Sequence, residues 1–317
     1  MTDPLALASS QHYPPATLYM VATPIGNVAD ISLRALHVLG LCDRLAAEDT
    51  RNTAQLLSRY GIAKPMIAAH DHNENEAAER IVAFLAAGER VAFVSDAGTP
   101  GISDPGGRLV EAARAAGYGV MPLPGASALT TAISAAGAWA STFTFVGFLA
   151  SKAKQRAGQL DALAGHPHAL VLYEAPHRIE ETMRAARDAL GGERRVLIAR
   201  ELTKLHESIH RATLAEGPEW LARDANHRRG EFVLVIEGAP APGEGETDVA
   251  AHDALLRALL DELPVSATAR VAARISGTSR SLLYARALHL AGDTARDDDA
   301  EEEGDVDGNS GGEAGGN

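Results

Sequence analysis

Short apolar runs alternate with longer segments of helical periodicity from residue 18 to residue 136. Each run stops at a cluster of polar residues, glycine or proline. The runs predict five strands, at residues 18–22, 44–47, 66–69, 91–94 and 120–123. The segments between them predict helices, two of which close at Gly61 and Gly88. Such an alternation predicts a largely parallel sheet flanked by helices.

The pattern changes after Gly137, where several links between apolar runs become shorter. Strands are predicted at residues 143–148, 169–173, 195–199 and 231–237, and helices at 179–190 and near 214–223. The short links indicate a second α/β domain with more antiparallel pairing. The basic stretch 151–156 (SKAKQR) is predicted to be a mobile loop. Residues 251–291 are rich in alanine, broken at Pro264 and Gly277, and typical of a helix-turn-helix.

These changes of pattern predict the domain organisation. The segments are a flexible leader (1–16), a first α/β domain (17–138), a second α/β domain (139–239), a linker (240–250), a helical domain (251–292) and a disordered acidic tail (293–317).

Composition indicates where the protein works. Of 317 residues, 46% are hydrophobic and 22% are charged, which is typical of a globular protein. The single cysteine, Cys42, excludes an internal disulfide and a cysteine-based zinc site, and fits a reducing compartment. No apolar run approaches the roughly 20 residues that span a bilayer, and residues 1–16 lack the features of a signal peptide. We therefore expect a soluble, cytoplasmic protein with no membrane partner.

The formal net charge of -13 is unevenly distributed along the chain. Ten acids and one base fall within residues 293–317, a net of -9, which leaves -4 for the rest. Within residues 251–292, five arginines outnumber three acids. Overall acidity therefore does not exclude a nucleic-acid partner, because local patches decide such binding.

The stretch from residue 90 to residue 136 places two unusual loops at one edge of the predicted sheet. Residues 96–107 follow one strand and residues 124–127 follow the next. Ligands of such sheets bind beyond the carboxyl ends of the strands. In the 96–99 segment (DAGT), the small residues allow close approach to the backbone, and the polar ones offer acceptors to a ribose or an ammonium group. Alternatively, residues 124–128 serve tight helix packing, and residues 104–107 (DPGG) cap the next helix.

Other polar clusters at strand ends leave two interpretations open. The 24–27 loop lacks the GxGxxG pattern, so it is either a nucleoside cradle or a structural turn. The side chains of residues 70–72 (HDH) alternate in direction, which favours a polar cleft edge, and we expect no metal there. Glu48, Asp49 and Arg51 form either a structural ion pair or a rim that faces the substrate.

Several of these segments, taken together, resemble the tetrapyrrole-methylase superfamily and, within it, the branch that methylates ribosomal RNA. The matching stretches are VATPIGNVADISLRAL (21–36), AAEDTRNT (46–53), HDHNE (70–74), VSDAGTPGISDPG (94–106), PLPGASA (122–128), YEAPHRI (173–179), ARELTK (199–204) and GEFVLVIEG (230–238). The likeness extends from about Leu18 to Leu290 and includes the helical domain. Two departures from the tetrapyrrole enzymes, TPIGN in place of GxGPGD and Thr99 in place of an aspartate, favour the RNA branch.

The resemblance implies a fold of two α/β domains with a cofactor cleft between them, and a small C-terminal helical domain. It implies methyl transfer from S-adenosylmethionine to the ribose 2′-hydroxyl of a cytidine in the decoding centre of small-subunit (16S) ribosomal RNA. The predicted cofactor-binding residues are Ile25, Gly26, Asp96, Ala97, Gly98, Thr99, Ile102, Ser127, Ala128, Glu174 and Leu202.

This chemistry requires alignment of the reacting atoms and a group that accepts the hydroxyl proton. The catalytic candidates are Glu201 and Lys204, or Glu48 and Asp49 across the cleft. A lysine acts as a base only if burial or a neighbouring cation lowers its pKa. The sequence does not choose among the four. No metal or redox cofactor is required.

The implied partner is small-subunit ribosomal RNA or an assembled 30S subunit, and the target nucleotide must be presented unstacked. The resemblance also implies a homodimer. The predicted RNA-binding residues are Lys152, Lys154, Arg156, Arg228, Arg229, Arg270, Arg274, Arg280 and Arg286.

Two other functions compete with this interpretation. The first is C-methylation of a precorrin-type tetrapyrrole, against which the TPIGN loop and the basic helical domain argue. The second is a nucleic-acid-binding regulator that uses the helices of residues 266–288, with the α/β part as a ligand sensor. One helix-turn-helix unit is a weak motif on its own.

Overall fold

Two compact units make up the chain, divided between Ala239 and Pro240. The computed structural model describes residues 5–240 and 249–302. The first unit contains two five-stranded sheets with their helices, and the described part of the second is helical. The predicted fold class of two α/β domains with a C-terminal helical domain is confirmed. Across the two described ranges, no helix is both long and apolar enough to cross a membrane.

The first sheet is parallel, as predicted, and has helices on both faces. Its strands are β1 (Thr17–Val21), β2 (Arg44–Ala47), β3 (Met66–Ala68), β4 (Val91–Val94) and β5 (Gly119–Leu123), in the order β3-β2-β4-β1-β5. The helices are α1 (Ala6–Ser9), α2 (Leu33–Leu41), α3 (Thr50–Ser58), α4 (Glu74–Ala86), α5 (Gly107–Ala115) and α6 (Ala128–Ala136). Every residue of β1 and β4 is buried, because helices cover both faces of these central strands.

The register of this sheet brings three loops together. β1 lies between β4 and β5, and Met20 of β1 pairs with Phe93 of β4, while Val21 pairs with Leu123 of β5. The carboxyl ends of these strands therefore meet at one edge, so the loops that follow them are neighbours in space.

The second sheet is mixed, which confirms the prediction of more antiparallel pairing. Its strands are β6 (Phe143–Phe148), β7 (Ala169–Glu174), β8 (Arg195–Arg200), β9 (Ser208–Thr213) and β10 (Phe232–Ile236), in the order β6-β7-β10-β8-β9. Only β6 and β7 pair in parallel. The helices of this domain are α7 (Ala153–Leu163), α8 (Ile179–Leu190) and α9 (Gly217–Arg223).

A helix replaces the mobile loop predicted at residues 151–156, and that prediction was wrong. α7 starts directly after Lys152, and its Leu160 lies in the core beneath the second sheet. The side chain of Arg156 is only 4% exposed, and its Nη2 lies 2.9 Å from Oε2 of Glu181 in α8. The basic composition predicted solvated side chains, but Arg156 is buried and ion-paired with Glu181.

Strand β9 was not predicted. It is an edge strand beside β8, and most of its residues are only half-buried. Its sequence, SIHRAT, mixes polar and apolar residues because a half-solvated edge strand needs few apolar side chains. Strand formation here depends on pairing with β8, which sequence periodicity does not reveal.

The helical unit contains the two helices predicted around Gly277. Its helices are α10 (Asp253–Leu260), α11 (Val265–Ser276) and α12 (Arg280–Glu302). Gly277 ends α11 in the left-handed conformation at φ 72°. Leu256, Ala272 and Leu283 are buried together at the centre of the unit.

The leader and the tail differ from the prediction over their described parts. Within the predicted leader, Ala8 and Tyr13 are buried, and the Tyr13 ring lies 5.0 Å from that of His37. α12 continues to Glu302, into the segment predicted to be disordered. Residues 303–317, and most of the predicted linker, lie outside the described residues.

Glu74, at the start of α4, connects this helix to the start of α5, and its contribution to stability can be tested. Its buried carboxylate accepts hydrogen bonds from the backbone N–H groups of Gly106, at 2.9 Å, and Arg108, at 3.1 Å, at the start of α5. We expect Glu74→Ala to lower the free energy of unfolding by about 1 to 3 kcal/mol, because two backbone donors, of which that of Gly106 is buried, lose their acceptor. Urea denaturation measures the change. The matched control is Glu76→Ala in the same turn, where the side chain is exposed and the expected change is within about 0.5 kcal/mol. Equal losses in both variants would contradict the capping role.

Candidate active site

A cavity of about 310 Å³ opens where the carboxyl edge of the first sheet faces the second sheet within the first unit. Loops after β1, β4 and β5 form one side, and residues at the ends of β7, β8 and β10 form the other. Its lining combines small and apolar side chains with a few polar ones. Cavities of this size and character hold small organic ligands.

The backbone of Gly98 forms one wall of the cavity. Its N–H and C=O pair with the C=O and N–H of Thr23 at 3.0 and 2.9 Å, which joins the loops after β1 and β4. Gly98 has φ +81°, and a Cβ there would lie 3.3 Å from Cγ2 of Ile25. A side chain at this position would be strained and would crowd Ile25, which also lines the cavity, so glycine keeps this part of the wall open to a ligand.

The start of α6 is held from both sheets. The hydroxyl of Thr99 donates to the C=O of Ala126 at 3.1 Å, and the phenol oxygen of Tyr173 in β7 accepts from the N–H of Leu129 at 3.0 Å. Ser127 precedes the helix in an extended conformation, with no capping bond from its side chain. This arrangement fixes the loop after β5 against the cavity.

Glu174 lies at the base of the cavity and is fully satisfied. Its Oε1 accepts from the N–H of Ala175 at 2.8 Å and lies 3.2 Å from Nε of Arg178. Its Oε2 accepts from the hydroxyl of Thr182 at 2.6 Å. The side chain has no exposed surface, so it serves as a rigid support.

The loop after β8 carries an ion-paired lysine. Nζ of Lys204 donates to Oε1 of Glu201 at 2.8 Å and to Oε2 of Glu231 at 2.7 Å. Burial acts against the charge of Lys204, yet these bonds raise its pKa above the ordinary value. Burial likewise opposes the charge of Glu201, but the bonds from Lys204 and from the Glu231 N–H lower the pKa of that carboxyl. Lys204 therefore remains protonated near neutral pH and cannot act as a base in this state.

Positive φ angles mark the same loop. Glu201 and Thr203 have φ 52° and 65°, which is uncommon for residues with a side chain. The hydroxyl of Thr203 accepts from the N–H of Asn27 at 3.1 Å, so the loop contacts the one after β1. Such strained backbone is often retained where a ligand requires a fixed geometry.

Glu48 and Asp49, the other catalytic candidates, do not line the cavity. Asp49 caps α3, and its hydrogen bonds with Arg51 lower its pKa to about 2. Oε2 of Glu48 accepts from the N–H of Asp96 at 3.1 Å. Asp96 in turn accepts from the N–H of Asp49 and the side chain of Asn52 at 3.2 and 3.0 Å. These acids tie the ends of β2 and β4 together.

Most of the predicted cofactor residues line the cavity. They are Ile25, Ala97, Gly98, Thr99, Ile102, Ser127, Ala128, Glu174 and Leu202. Gly26 and Asp96 do not line it. Gly26 lies against the loop after β8, where a Cβ would be 2.8 Å from Oγ1 of Thr203. Of the catalytic candidates, only Lys204 lines the cavity.

Sequence reasoning missed several lining residues, among them Asp104, Phe148, Tyr173 and Glu231. Burial, followed by the nearby charges of Glu48 and Asp96, raises the pKa of Asp104 to about 6. The sequence presented Asp104 as a helix cap, and only the position of Glu74 excludes that role. Phe148 follows a register shift in β6, which no local motif reveals.

The predicted RNA-binding residues differ in exposure. Arg156 is buried against Glu181, so it supports α7 and is not placed to contact RNA. Arg286 forms two bonds to the carboxylate of Asp253. Arg228 is exposed and lies 3.3 Å from Oε1 of Glu180. The remaining residues have exposed side chains: Lys152, Lys154, Arg229, Arg270, Arg274 and Arg280.

The described residues contain no group of three or more histidines, cysteines or acids that could hold a metal ion. The rings of His70 and His72 lie 6.0 Å apart.

Comparison with known families gives two matches. Residues 17–217 match the tetrapyrrole (corrin/porphyrin) methylases, and residues 246–291 match the RsmI C-terminal HTH domain. The chain is 48% identical to ribosomal RNA small subunit methyltransferase I of Pseudomonas aeruginosa, over 87% of this chain and 98% of the relative. It is 46% identical to the protein of the same name from Escherichia coli O157:H7, over 87% and 96%.

Solved structures of other methyltransferases share the fold. Uroporphyrin-III-C-methyltransferase from Thermus thermophilus matches with a TM-score of 0.51 and 17% identity, over 70% of this chain and 94% of that one. The methyltransferase CobJ matches with a TM-score of 0.53 and 21% identity, over 70% and 93%.

The Lys204 ion pair gives a prediction with a defined pH dependence. We expect Lys204→Met to lower the free energy of unfolding by about 1 to 2 kcal/mol near neutral pH, because a charged donor to two carboxylates is lost. The pKa of Glu201 is lowered from 4.5, so its contribution is present above that pH and disappears as the pH falls through the lowered value. The difference between wild type and variant should therefore shrink in acid.

Denaturation at a series of pH values measures this difference. The matched control is Lys154→Met, at an exposed lysine, with an expected change within about 0.5 kcal/mol at every pH. If the stability difference between wild type and Lys204→Met stayed constant as the pH fell, the ion pair between Lys204 and Glu201 would be contradicted.

Proposed function

The chain belongs to the tetrapyrrole methylases and, within them, to the ribosomal RNA small subunit methyltransferase I family, and we propose that it 2′-O-methylates a cytidine of 16S ribosomal RNA. The methyl donor is S-adenosylmethionine. The acceptor is a ribose in the decoding centre of the small subunit. The relatives share the full length of both α/β domains and the helical domain with this chain, which supports the same activity here.

The observation that carries the proposal is the cavity beside Gly98. An adenosine needs a flat, narrow space with backbone groups within reach, and the absent side chain at Gly98 leaves such a wall. Ala97, Ser127 and Ala128 add only small side chains. Ile25 and Ile102 supply apolar side chains to the lining. The residues present therefore fit a nucleoside cofactor.

The donor, when bound, supplies a methyl group that is already activated by a sulfonium charge. The protein must hold the acceptor oxygen in line, exclude water and take up the hydroxyl proton. The bonds that tie Thr99 to Ala126, and Tyr173 to Leu129, hold the cavity wall rigid before binding. Rigid placement of this kind lowers the entropic part of the barrier.

Each unit, taken by itself, carries exposed cations for contacts with RNA. Lys152 and Lys154 lie at the start of α7, and Arg270, Arg274 and Arg280 lie on α11 and α12. Phosphate contacts from such residues provide affinity without sequence preference. Phe148 lines the cavity and is 54% exposed, so its ring is available to stack on an unstacked base.

The proposal includes a homodimer that works in the cytoplasm, where ribosomal subunits are substrates. Exposed apolar side chains on the edge strands, such as Phe143 of β6 and Ile209 of β9, provide surface that a second copy can cover.

Methylation of small ribosomal subunits that lack this modification tests the function. We expect labelled S-adenosylmethionine to leave its methyl group on the ribose of a cytidine, detected as 2′-O-methylcytidine after nuclease digestion. A precorrin pool serves as the competing substrate, because the same fold occurs in uroporphyrin-III-C-methyltransferase. If the label appeared on a tetrapyrrole and not on the RNA, the protein would be a tetrapyrrole C-methyltransferase and the proposal would be wrong.

The Gly98 wall gives a second prediction. We expect Gly98→Asp to abolish binding of S-adenosylmethionine, measured by calorimetry, because the new side chain fills the space beside Ile25.

The matched control for this variant is Gly101→Asp. Gly101 has the same φ of +81°, but a Cβ there would meet nothing within 4 Å, and the residue does not line the cavity. This control carries the same backbone strain and the same added charge, so it should bind the donor nearly as well as wild type. Equal loss in both variants would show that strain or charge, and not the filled cavity, abolishes binding.

A further inference from the structure

We propose that Asp104 is the group that accepts the proton of the ribose 2′-hydroxyl during methyl transfer, an assignment that rests on the proposed function. Within the part of the chain that the structure describes, three carboxyl groups line the cavity: Asp104, Glu174 and Glu231. Two of them are committed to other contacts. Glu174 is held by Arg178 and Thr182, and Glu231 is paired with Lys204. Asp104 alone of the three has no ion pair within the described residues.

Asp104 does not cap the helix that follows it. An aspartate that directly precedes a helix commonly caps it. Here the N-cap of α5 is Gly106, which makes no side-chain cap, and the carboxylate of Glu74 accepts the N–H groups of Gly106 and Arg108 instead. Asp104 is therefore free to face the cavity, and helix formation does not explain its presence.

The backbone on both sides of Asp104 is held in a fixed conformation. Ser103 has φ 65°, a conformation that costs free energy for a residue with a side chain. Gly106 has φ 130°, and a Cβ there would lie 2.8 Å from Cε1 of Phe93. The chain can follow this path only because Gly106 packs directly on the sheet. A catalytic group needs such prior placement, because small displacements reduce its efficiency.

The surroundings of Asp104 increase its affinity for a proton. Burial has the largest effect, and the carboxylates of Glu48, Asp96 and Asp71 add repulsion from the ends of β2, β4 and β3, while a hydrogen bond from Ser95 acts in the opposite direction. Tyr173 of β7 faces it from the second sheet, and the pKa of that phenol is raised by burial and, to a smaller extent, by Asp104. A pKa near 6 keeps Asp104 ionised at neutral pH and makes it a stronger base than an ordinary carboxylate.

The proton balance of the step is simple. The O–H bond breaks and leaves its electron pair on the oxygen, which forms the new O–CH₃ bond. The S–CH₃ bond breaks and its pair passes to sulfur. The proton ends on a carboxylate oxygen of Asp104 and is later released to water. A positive sulfonium and a negative carboxylate become a neutral thioether and a neutral acid, so the step removes two charges from a partly buried site.

The test compares wild type with Asp104→Asn in single-turnover methylation of small ribosomal subunits at saturating S-adenosylmethionine. We expect the rate constant to fall on the order of 100- to 10,000-fold, the usual contribution of a positioned base. Donor affinity should stay within a few-fold, and the melting temperature at neutral pH should not fall, because the variant removes a repelled charge. A raised dissociation constant with an unchanged saturated rate would overturn the assignment, since Asp104 would then only bind the cationic donor.

The pH profile provides a readout that a structural role would not affect. For wild type, kcat/KM for the donor should fall in acid with a midpoint near pH 6. Asp104→Asn should lose this midpoint and accelerate steadily with pH as hydroxide replaces the base. The matched control is Asp71→Asn, an exposed residue outside the cavity. It should keep the neutral-pH rate and shift the midpoint to lower pH, because one repelling charge is gone.

These experiments distinguish failure of the proposed function from failure of the Asp104 assignment. Wild-type enzyme that leaves ribosomal RNA unlabelled overturns the proposed function, and the Asp104 assignment with it. Active wild type together with an Asp104→Asn rate within about fivefold, or with an unchanged pH midpoint in that variant, overturns the assignment alone.

Discussion

The two backbone hydrogen bonds between Thr23 and Gly98 are the contact on which the rest of the site depends. They join the loops after β1 and β4 beyond the end of the sheet, where strand pairing no longer holds the chain. This contact requires a positive φ at Gly98 and space for Ile25 beside it. Once the two loops are joined, Thr99 can reach Ala126 and fix the loop after β5 as well. One wall of the cavity is thus built from backbone, which explains why small residues dominate it.

The acids of the first unit illustrate how environment, and not residue type, decides a role. Glu74 caps a helix, Asp96 joins two strand ends, and Glu174 is buried under Arg178. Each of these carboxylates accepts hydrogen bonds from at least two donors around it. Asp104 has one hydroxyl donor and several repelling neighbours. The same functional group is a support in three places and a base in the fourth because the number of donors differs.

Much of this arrangement could be predicted from the sequence, since strands buried on both faces leave long apolar runs and their loops leave polar clusters. The parallel sheet, the mixed second sheet and the cavity loops at Gly98 and Ser127 were predicted for that reason. What escaped prediction depends on contacts between distant segments. Strand β9 forms because β8 is beside it, and Arg156 is buried because Glu181 lies across from it. The sequence could not show which carboxylate acts as the base. Glu74 caps α5 from more than thirty residues away in the sequence, and no local motif reveals this contact.

The acidic surroundings of Asp104 also bear on how a polyanion reaches the cavity. Glu48 and Asp96 repel a phosphate as they repel the charge of Asp104. The backbone of a bound RNA must therefore pass the cavity at some distance from these acids, with the ribose turned inward. Exposed cations lie in the second α/β domain, at Lys152 and Lys154. Attraction at one place and repulsion at another fix the orientation of a nucleotide more firmly than attraction alone. The charges of Glu48 and Asp96 therefore also favour the 2′-hydroxyl at Asp104, because they repel a phosphate from this place.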